Sequence, residues 1–167
     1  MNRIKNILYV FVLLIAFGFT EKPLEDGATF VDAKKKDGKD KNFKDIIKEF
    51  EGKVVYVDFW ASWCGPCRQE FPSAKKVHQD LKGKEVVFLY ISFDRNEEDW
   101  KKGISKLGLN GYHLYPTDSQ KQEIVDKFQV TGIPRYMLVD KKGKIVNGDA
   151  PRPSSGEVKT LVEGLLK

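Results

Sequence analysis

Two stretches of almost unbroken apolar and β-branched residues constrain the fold of this chain more than any other feature. They occupy residues 54–60 and 86–92. Strands that lack polar alternation are typical of a sheet covered on both faces. Between them, Phe71, Ala74, Val77 and Leu81 recur at helical spacing before Gly83. The segment from 54 to 92 therefore predicts two central strands joined by a crossover helix.

The remaining pattern extends this unit into a larger sheet. Helical periodicity recurs near residues 43–50, 97–107, 119–128 and 154–165. Strand patterns fall at residues 112–114, 136–140 and 144–146. The last two strands are too close together for anything except an antiparallel hairpin, and Ser154 is expected to cap the last helix. The order of elements predicts the α/β class, with a mixed central β-sheet and helices on both faces.

The first twenty residues are predicted to be a targeting segment. Arg3 and Lys5 precede residues 7–19, which carry no charge. As a helix this run would span about 20 Å, short of the ~30 Å hydrocarbon core, which favours a cleaved signal over an uncleaved anchor. We therefore expect a signal peptide or anchor at 1–20, one domain at 21–167, and an extracytoplasmic, periplasmic location.

Length and charge narrow the class of protein further. A chain of 167 residues is long enough for one domain with its own core. Its net charge of +5 falls to +3 without Arg3 and Lys5, an excess too small to indicate binding of nucleic acid. The lysine-rich stretch around residues 34–44 is predicted to be a solvated loop or hairpin.

The two cysteines lie three residues apart, where the first apolar strand meets the crossover helix. A helix N-terminus presents unpaired N–H groups and the positive end of the helix dipole, which stabilise Cys64 as a thiolate. We expect Cys64 to be accessible and to attack a disulfide, and the better shielded Cys67 to resolve the mixed disulfide. Pro66 suits the first helical turn. Arg68 and Glu70, further along this helix, are expected to be solvated charges.

Other uses of two cysteines fit less well. A structural disulfide across so short a loop would remove little entropy from the unfolded chain. A zinc site would need two further ligands, and His78 and His113 stand at no recognisable metal spacing. We therefore expect no metal ion, and we interpret both histidines as surface or packing residues.

Two separate motifs resemble one known family. Residues 57–67 have the sequence VDFWASWCGPC, which is very similar to the active-site segment of thioredoxins, and residues 131–134, TGIP, resemble their cis-proline loop. The signal segment and an extra helix and strand between Asp94 and Pro116 narrow the resemblance to the extracytoplasmic TlpA/ResA-like thiol-disulfide oxidoreductases. The resemblance covers residues 52–167 well and implies a thioredoxin-like fold.

The resemblance also implies roles for single residues. Cys64 would be the attacking thiol and Cys67 the resolving thiol. Pro134 would follow a cis peptide bond, and the backbone of Ile133 would pair with an extended substrate segment. The implied substrate-binding surface comprises Trp63, Gly65, Pro66, Ile133 and Pro134.

Asp58 interrupts the apolar pattern of the first strand. It shares a face with Tyr56 and Trp60, so its carboxyl group is expected to be buried. Burial without a partner raises the pKa of a carboxyl group, which makes Asp58 a candidate proton acceptor for Cys67. A hydrogen-bonded structural acid is the alternative. Thioredoxins similarly carry an aspartate here, whereas Tyr90 stands where they place a lysine on the neighbouring strand.

Together with the cysteine pair, the resemblance implies a protein-disulfide reductase, which we expect to act as a monomer and without a cofactor. The partners that the resemblance implies are cysteine-containing client proteins, such as apocytochrome c, and a membrane thiol-disulfide electron donor. The Gly65-Pro66 spacer resembles that of reducing members of the family, although the direction of exchange follows the difference in reduction potentials. Two alternatives stay open: a disulfide-forming oxidant, and a non-catalytic thiol module that senses redox state or carries a metal.

Overall fold

The computed structural model of the chain describes residues 27–167. The signal segment predicted at 1–20 lies outside the described residues. The strands are β1 (Ala28–Val31), β2 (Val54–Trp60), β3 (Val86–Ser92), β4 (Gly111–Leu114), β5 (Arg135–Val139) and β6 (Ile145–Asn147). The helices are α1 (Phe43–Lys48), α2 (Gly65–Asp80), α3 (Glu97–Leu107), α4 (Asp118–Phe128) and α5 (Val158–Leu166), with a short 3-10 turn at Pro153–Ser155.

All six strands form one mixed sheet in the order β1-β4-β3-β2-β5-β6. The first four strands in this order are parallel, and β5 and β6 run antiparallel to their neighbours. Phe59 of β2 pairs with Arg135 at the start of β5. Because β5 runs against β2, the loop at 131–134 lies at the same sheet edge as the cysteines that follow β2. The topology thus brings the two sequence motifs together.

Strand β2 separates two apolar cores because successive side chains point to opposite faces of the sheet. Tyr56 and Trp60 face the core that α2, α3 and α5 cover. Val57 and Phe59 face the core that α1 and α4 cover. All seven residues of β2 and all seven of β3 are buried, which confirms that these are central strands. Helices on both faces confirm the predicted α/β class.

The helix ends follow local sequence signals. Asn96 caps α3, its side-chain oxygen accepting a hydrogen bond of 2.8 Å from the backbone N–H of Asp99. Gly108 ends that helix in the left-handed region, with φ of 56°, where a glycine carries no Cβ penalty. Thr117 and Gln120 form a reciprocal capping box at the start of α4, one residue before the predicted start.

One prediction near the C-terminus is wrong, and one strand near the start of the described residues was not predicted. Ser154 does not cap the last helix: it lies in the 3-10 turn, and α5 begins at Val158 without a side-chain cap. The hydroxyl of Ser154 instead donates to Glu70, 84 residues away in sequence. The N-terminal strand β1 is absent from the predicted elements. The lysine-rich stretch at residues 34–44 contains a short hairpin-like turn, as predicted: Lys34 and Asp40 form an isolated antiparallel bridge, and Gly38 between them has φ of 82°. Within residues 27–167, none of the helices combines the length and apolarity needed to cross a bilayer.

Candidate active site around Cys64 and Cys67

Cys64 and Cys67 form a disulfide at the start of α2, with their Cα atoms 5.3 Å apart. Cys64 is the N-cap residue of the helix, and its Sγ accepts a hydrogen bond of 3.1 Å from the backbone N–H of Cys67. Pro66 occupies the first helical turn, where its missing N–H leaves no hydrogen bond unmade. The same N–H and the positive end of the helix dipole stabilise a thiolate on Cys64 when the bond is reduced.

Cys64 is less accessible than the sequence predicts, whereas Cys67 is shielded, as expected. Cys64 is 3% exposed and Cys67 is 1% exposed. Cys64 Sγ lies over the first turn of α2, bonded to Cys67, so little of its surface faces solvent. The expectation that Cys64 is accessible is therefore wrong for the disulfide state. By contrast Trp63 is 59% exposed and Pro66 is exposed, which gives a flat apolar surface next to the disulfide.

The loop before β5 has the geometry that the resemblance implies. The Ile133–Pro134 peptide bond is cis, and both side chains are half-buried. Arg135, the next residue, donates two hydrogen bonds to the carbonyl of Gly148, at 3.0 and 2.7 Å. This fixes the start of β5 against the loop that follows β6, while the register with Phe59 holds it beside the end of β2.

Asp58 is buried in the middle of the sheet, as predicted. It is 3% exposed and lies directly between Tyr90 on β3 and Tyr136 on β5. Its Oδ1 has no hydrogen-bond partner among the described residues. Burial, and to a smaller extent the negative charge of Glu70, raise the pKa of Asp58 well above its ordinary value. The alternative of a fully hydrogen-bonded structural acid is thus not supported.

The surroundings of Asp58 on the α2 side are dry. The space beside its carboxyl group is too narrow to hold a water molecule. The residues around it are aromatic or apolar: Tyr56, Ala74, Val77, Phe88, Tyr90 and Pro153. Tyr90 occupies the position directly opposite Asp58 on the neighbouring strand, as the sequence predicts. On this side, the side chains around Asp58 therefore leave no room for a water molecule that could relay its proton.

Glu70 is a buried residue that the sequence analysis placed in solvent. Its carboxylate accepts hydrogen bonds of 3.0 Å from both the backbone N–H and the hydroxyl of Ser154, and Arg152 lies 3.9 Å away. These bonds fasten the segment before α5 to the first half of α2. Helical spacing could have identified this burial, because Glu70 follows the buried Cys67 by three residues and so lies on its face.

A second buried carboxylate, missed by the sequence analysis, holds the loop between β2 and α2. Asp94 is fully buried and accepts hydrogen bonds from the backbone N–H of Ser62, at 3.0 Å, and from its hydroxyl, at 2.7 Å. It also accepts one from the hydroxyl of Ser92 at 2.9 Å. Ser62 lies two residues before Cys64, so this network fixes the approach of the chain to the disulfide. A polar Ser92 ending a buried strand was the available signal.

The histidines are packing residues. His113 stacks on Tyr90 with ring centroids 4.9 Å apart, and its Nε2 lies 3.1 Å from the carbonyl of Leu109. The ring centroids of His78 and Phe88 lie 3.6 Å apart. Burial lowers the pKa of each histidine to about 4. In the part of the chain that the structure describes, no three His, Cys, Asp or Glu side chains cluster as a metal site would require.

The chain is similar to several known proteins. A family model described as thioredoxin-like matches residues 52–145. The thiol-disulfide oxidoreductase ResA of Bacillus anthracis is 28% identical, and the match covers 100% of this chain and 98% of that protein.

Solved structures extend this similarity to three dimensions. A protein from Bacteroides vulgatus described as a thiol-disulfide oxidoreductase is 35% identical, with a TM-score of 0.64 over 72% of this chain and 78% of its own. A protein from Chlorobium tepidum described as the thiol:disulfide interchange protein DsbE is 26% identical, with a TM-score of 0.61 over 72% and 85%. The similarity therefore covers most of the chain rather than the two motifs alone.

Proposed function

Because this chain belongs to the thioredoxin-like family, has its fold and is a thiol-disulfide oxidoreductase, we propose that it reduces protein disulfides outside the cytoplasm. The observation that carries the proposal is the Cys64–Cys67 disulfide at the N-terminus of α2. Cys64 is the N-cap residue of the helix, and its Sγ accepts the hydrogen bond from the backbone N–H of Cys67 that stabilises a thiolate there. The Gly65-Pro66 spacer supports the reducing direction.

The exchange proceeds in two displacements. The Cys64 thiolate attacks one sulfur of the client disulfide, forming a Cys64–client bond while the other client sulfur leaves as a thiolate. The Cys67 thiol then loses its proton and attacks Cys64 Sγ, which closes the Cys64–Cys67 bond and releases the second client thiolate. The client gains two electrons and the protein becomes the disulfide that the structure describes.

Asp58 is the proposed acceptor of the Cys67 proton. Its raised pKa makes the Asp58 carboxylate a stronger base than an exposed aspartate. It lies on the face of β2 that packs against the core containing Cys67. When the disulfide is reduced again, the proton returns to the sulfur. Tyr90 is the neighbour of Asp58 across the sheet and supplies no positive charge that would lower that pKa.

The surface around the disulfide is the proposed client-binding surface. Trp63 and Pro66 offer exposed apolar area, and Gly65 has open space where a side chain would stand. Ile133 and Pro134 belong to the 131–134 loop, which lies at the same end of the sheet. An extended client segment with a cysteine would lie across these residues, as such segments pair with exposed backbone. Apocytochrome c is one proposed client. We further propose that the protein acts as a monomer and that a membrane thiol-disulfide donor reduces it again.

Trapping the mixed disulfide tests this assignment. Cys67→Ser leaves the attacking thiol in place but removes the resolving one, so incubation with a disulfide-bonded client such as insulin should accumulate a Cys64–client adduct. Cys64→Ser is the matched control, and it should accumulate none. Mass spectrometry of the non-reduced products identifies the linked residue. An adduct on Cys67 in the Cys64→Ser variant, with none on Cys64 in the Cys67→Ser variant, would contradict the assignment of the attacking sulfur.

A further inference from the structure

A groove lined by cationic side chains lies next to the disulfide, between the start of α2 and one face of α3. Its volume is about 210 Å³. Ser62 and Arg68 contribute from the side of α2, and Lys102, Gly103 and Lys106 contribute from α3. Ser62 precedes Cys64 by two residues, and the backbone N–H of Arg68 donates to the carbonyl of Cys64. The groove is therefore lined by residues on both sides of the Cys64–Cys67 segment in sequence.

At the bottom of the groove, α3 comes into close contact with the loop before α2, and the residue of α3 at this contact is Gly103. A Cβ at position 103 would lie 2.7 Å from the Cβ of Ser62, a separation that leaves no room for a side chain. Ser62 cannot move away easily, because its N–H and hydroxyl are both bonded to the buried Asp94. The floor of the groove is thus held rigidly, and its walls are formed by long charged side chains.

The charge of the groove is positive. Arg68 and Lys106 are exposed, and within residues 27–167 no carboxylate lies within ion-pair distance of either. Lys102 is paired with Glu98 at 2.6 Å, but both side chains are at least 70% exposed, and such a pair is weak. The acid in the lining, Asp99, accepts a hydrogen bond of 2.7 Å from Asn96. Two unpaired cations therefore face the groove.

We infer that this groove binds a carboxylate side chain of the client segment, an Asp or Glu close in sequence to the client cysteine. This deepens the proposed function and rests on it, since the client must first engage Cys64. An exposed carboxylate that reaches Arg68 or Lys106 would gain one or two ion pairs without displacing a partner. The occupant is a short acidic segment of a client protein, because the groove is large enough for a side chain and its lining residues Ser62 and Arg68 flank the Cys64–Cys67 segment in sequence.

Matched peptides test the inference. Nine-residue peptides with a central cysteine and otherwise neutral residues are prepared as symmetric disulfide dimers. Each carries one Glu at a single position before or after the cysteine, and its partner peptide carries Gln there. The rate of oxidation of the reduced protein is followed by Trp fluorescence in about 10 mM salt, where screening is weak. For at least one position we expect the Glu peptide to react about threefold to tenfold faster than its Gln partner.

Two charge-reversal variants on α3 distinguish binding in the groove from an effect of the protein's overall charge. Lys106→Glu should abolish or invert the preference for Glu, whereas Lys101→Glu, the same change on the same helix outside the groove lining, should preserve it. Equal rates for the Glu and Gln peptides at every position would overturn this inference but not the proposed function. A preference for the Glu peptide that persists in Lys106→Glu would do the same. Absence of exchange with either peptide would contradict the proposed function, and the inference with it.

Discussion

Replacing Asp58 with Asn should make the oxidised protein progressively more stable than the wild type as the pH rises. Asp58 is buried with an unpartnered Oδ1, and its pKa is raised from the ordinary value of 3.8. In the unfolded chain the group ionises near that ordinary value, while in the folded protein it keeps its proton to higher pH. Between the two pKa values the folded state therefore binds one more proton than the unfolded state.

The magnitude follows from proton linkage. One extra proton in the folded state lowers the free energy of unfolding by about 1.4 kcal/mol for each pH unit. The wild type loses this amount from Asp58 as the pH rises above about 4, until the pH reaches the folded-state pKa. The amide of the variant does not titrate, so the difference between Asp58→Asn and the wild type should grow at about 1.4 kcal/mol per pH unit. The pH at which the difference becomes constant is the folded-state pKa.

Urea denaturation of both oxidised proteins, followed by circular dichroism at half-unit steps from pH 4 upward, measures this difference. The two histidines and every surface carboxylate are common to both proteins, so their contributions cancel. Any hydrogen bond that the buried amide of the Asp58→Asn variant leaves unmade has an effect that does not depend on pH. It therefore shifts the plot of the stability difference against pH by a constant and leaves its slope unchanged. A difference that stays constant over the whole pH range would refute the reasoning, because Asp58 would then ionise alike in the folded and unfolded states.

Two further predictions concern packing. Because the pKa of His113 is lowered to about 4, this residue should destabilise the protein by about 3 kcal/mol as the pH falls from 6.5 to 4. His113→Phe should keep the stacking and lose less stability over that range in urea titrations, and a loss equal to the wild type's would contradict this. Gly103→Ala should lower the free energy of unfolding by up to about 2 kcal/mol, because overpacking against Ser62 costs about 1–3 kcal/mol and the gain in helix propensity is roughly 1 kcal/mol. Gly164→Ala, where a Cβ would meet nothing within 4 Å, should instead stabilise, and equal effects at both sites would contradict the steric argument.

The central part of the fold could be predicted from sequence because its signals are local and redundant. Strands β2 and β3 are covered on both faces, so their apolar runs mark the observed boundaries at Val54–Trp60 and Val86–Ser92. The position of Cys64 at a helix N-terminus follows from the strand before it and the helical periodicity after it. The burial of Asp58 could be predicted because alternate residues of a strand share a face, so Asp58 lies on the same buried face of β2 as Tyr56 and Trp60.

The features that sequence analysis missed depend on distant partners. β1 is an edge strand of four residues. It is a strand because it pairs with β4: Ala28 lies opposite Gly111, which is 83 residues later in the sequence. Ser154 carries a capping signal but bonds to Glu70 instead, which also explains why that acid is buried. The accessibility of Cys64 is lower than expected because the sulfur packs over the first turn of α2, a position that periodicity alone does not describe.

The reduction potential of the Cys64–Cys67 pair tests the proposed reductase most directly. The chain contains two cysteines, so equilibration with a dithiothreitol or glutathione redox buffer reports a single couple, and the exposed Trp63 beside it provides a fluorescence signal. We predict a potential near the roughly −270 mV that is typical of thioredoxin. A value near the ~−120 mV of the strong oxidant DsbA would contradict the account and make the protein a donor of disulfides.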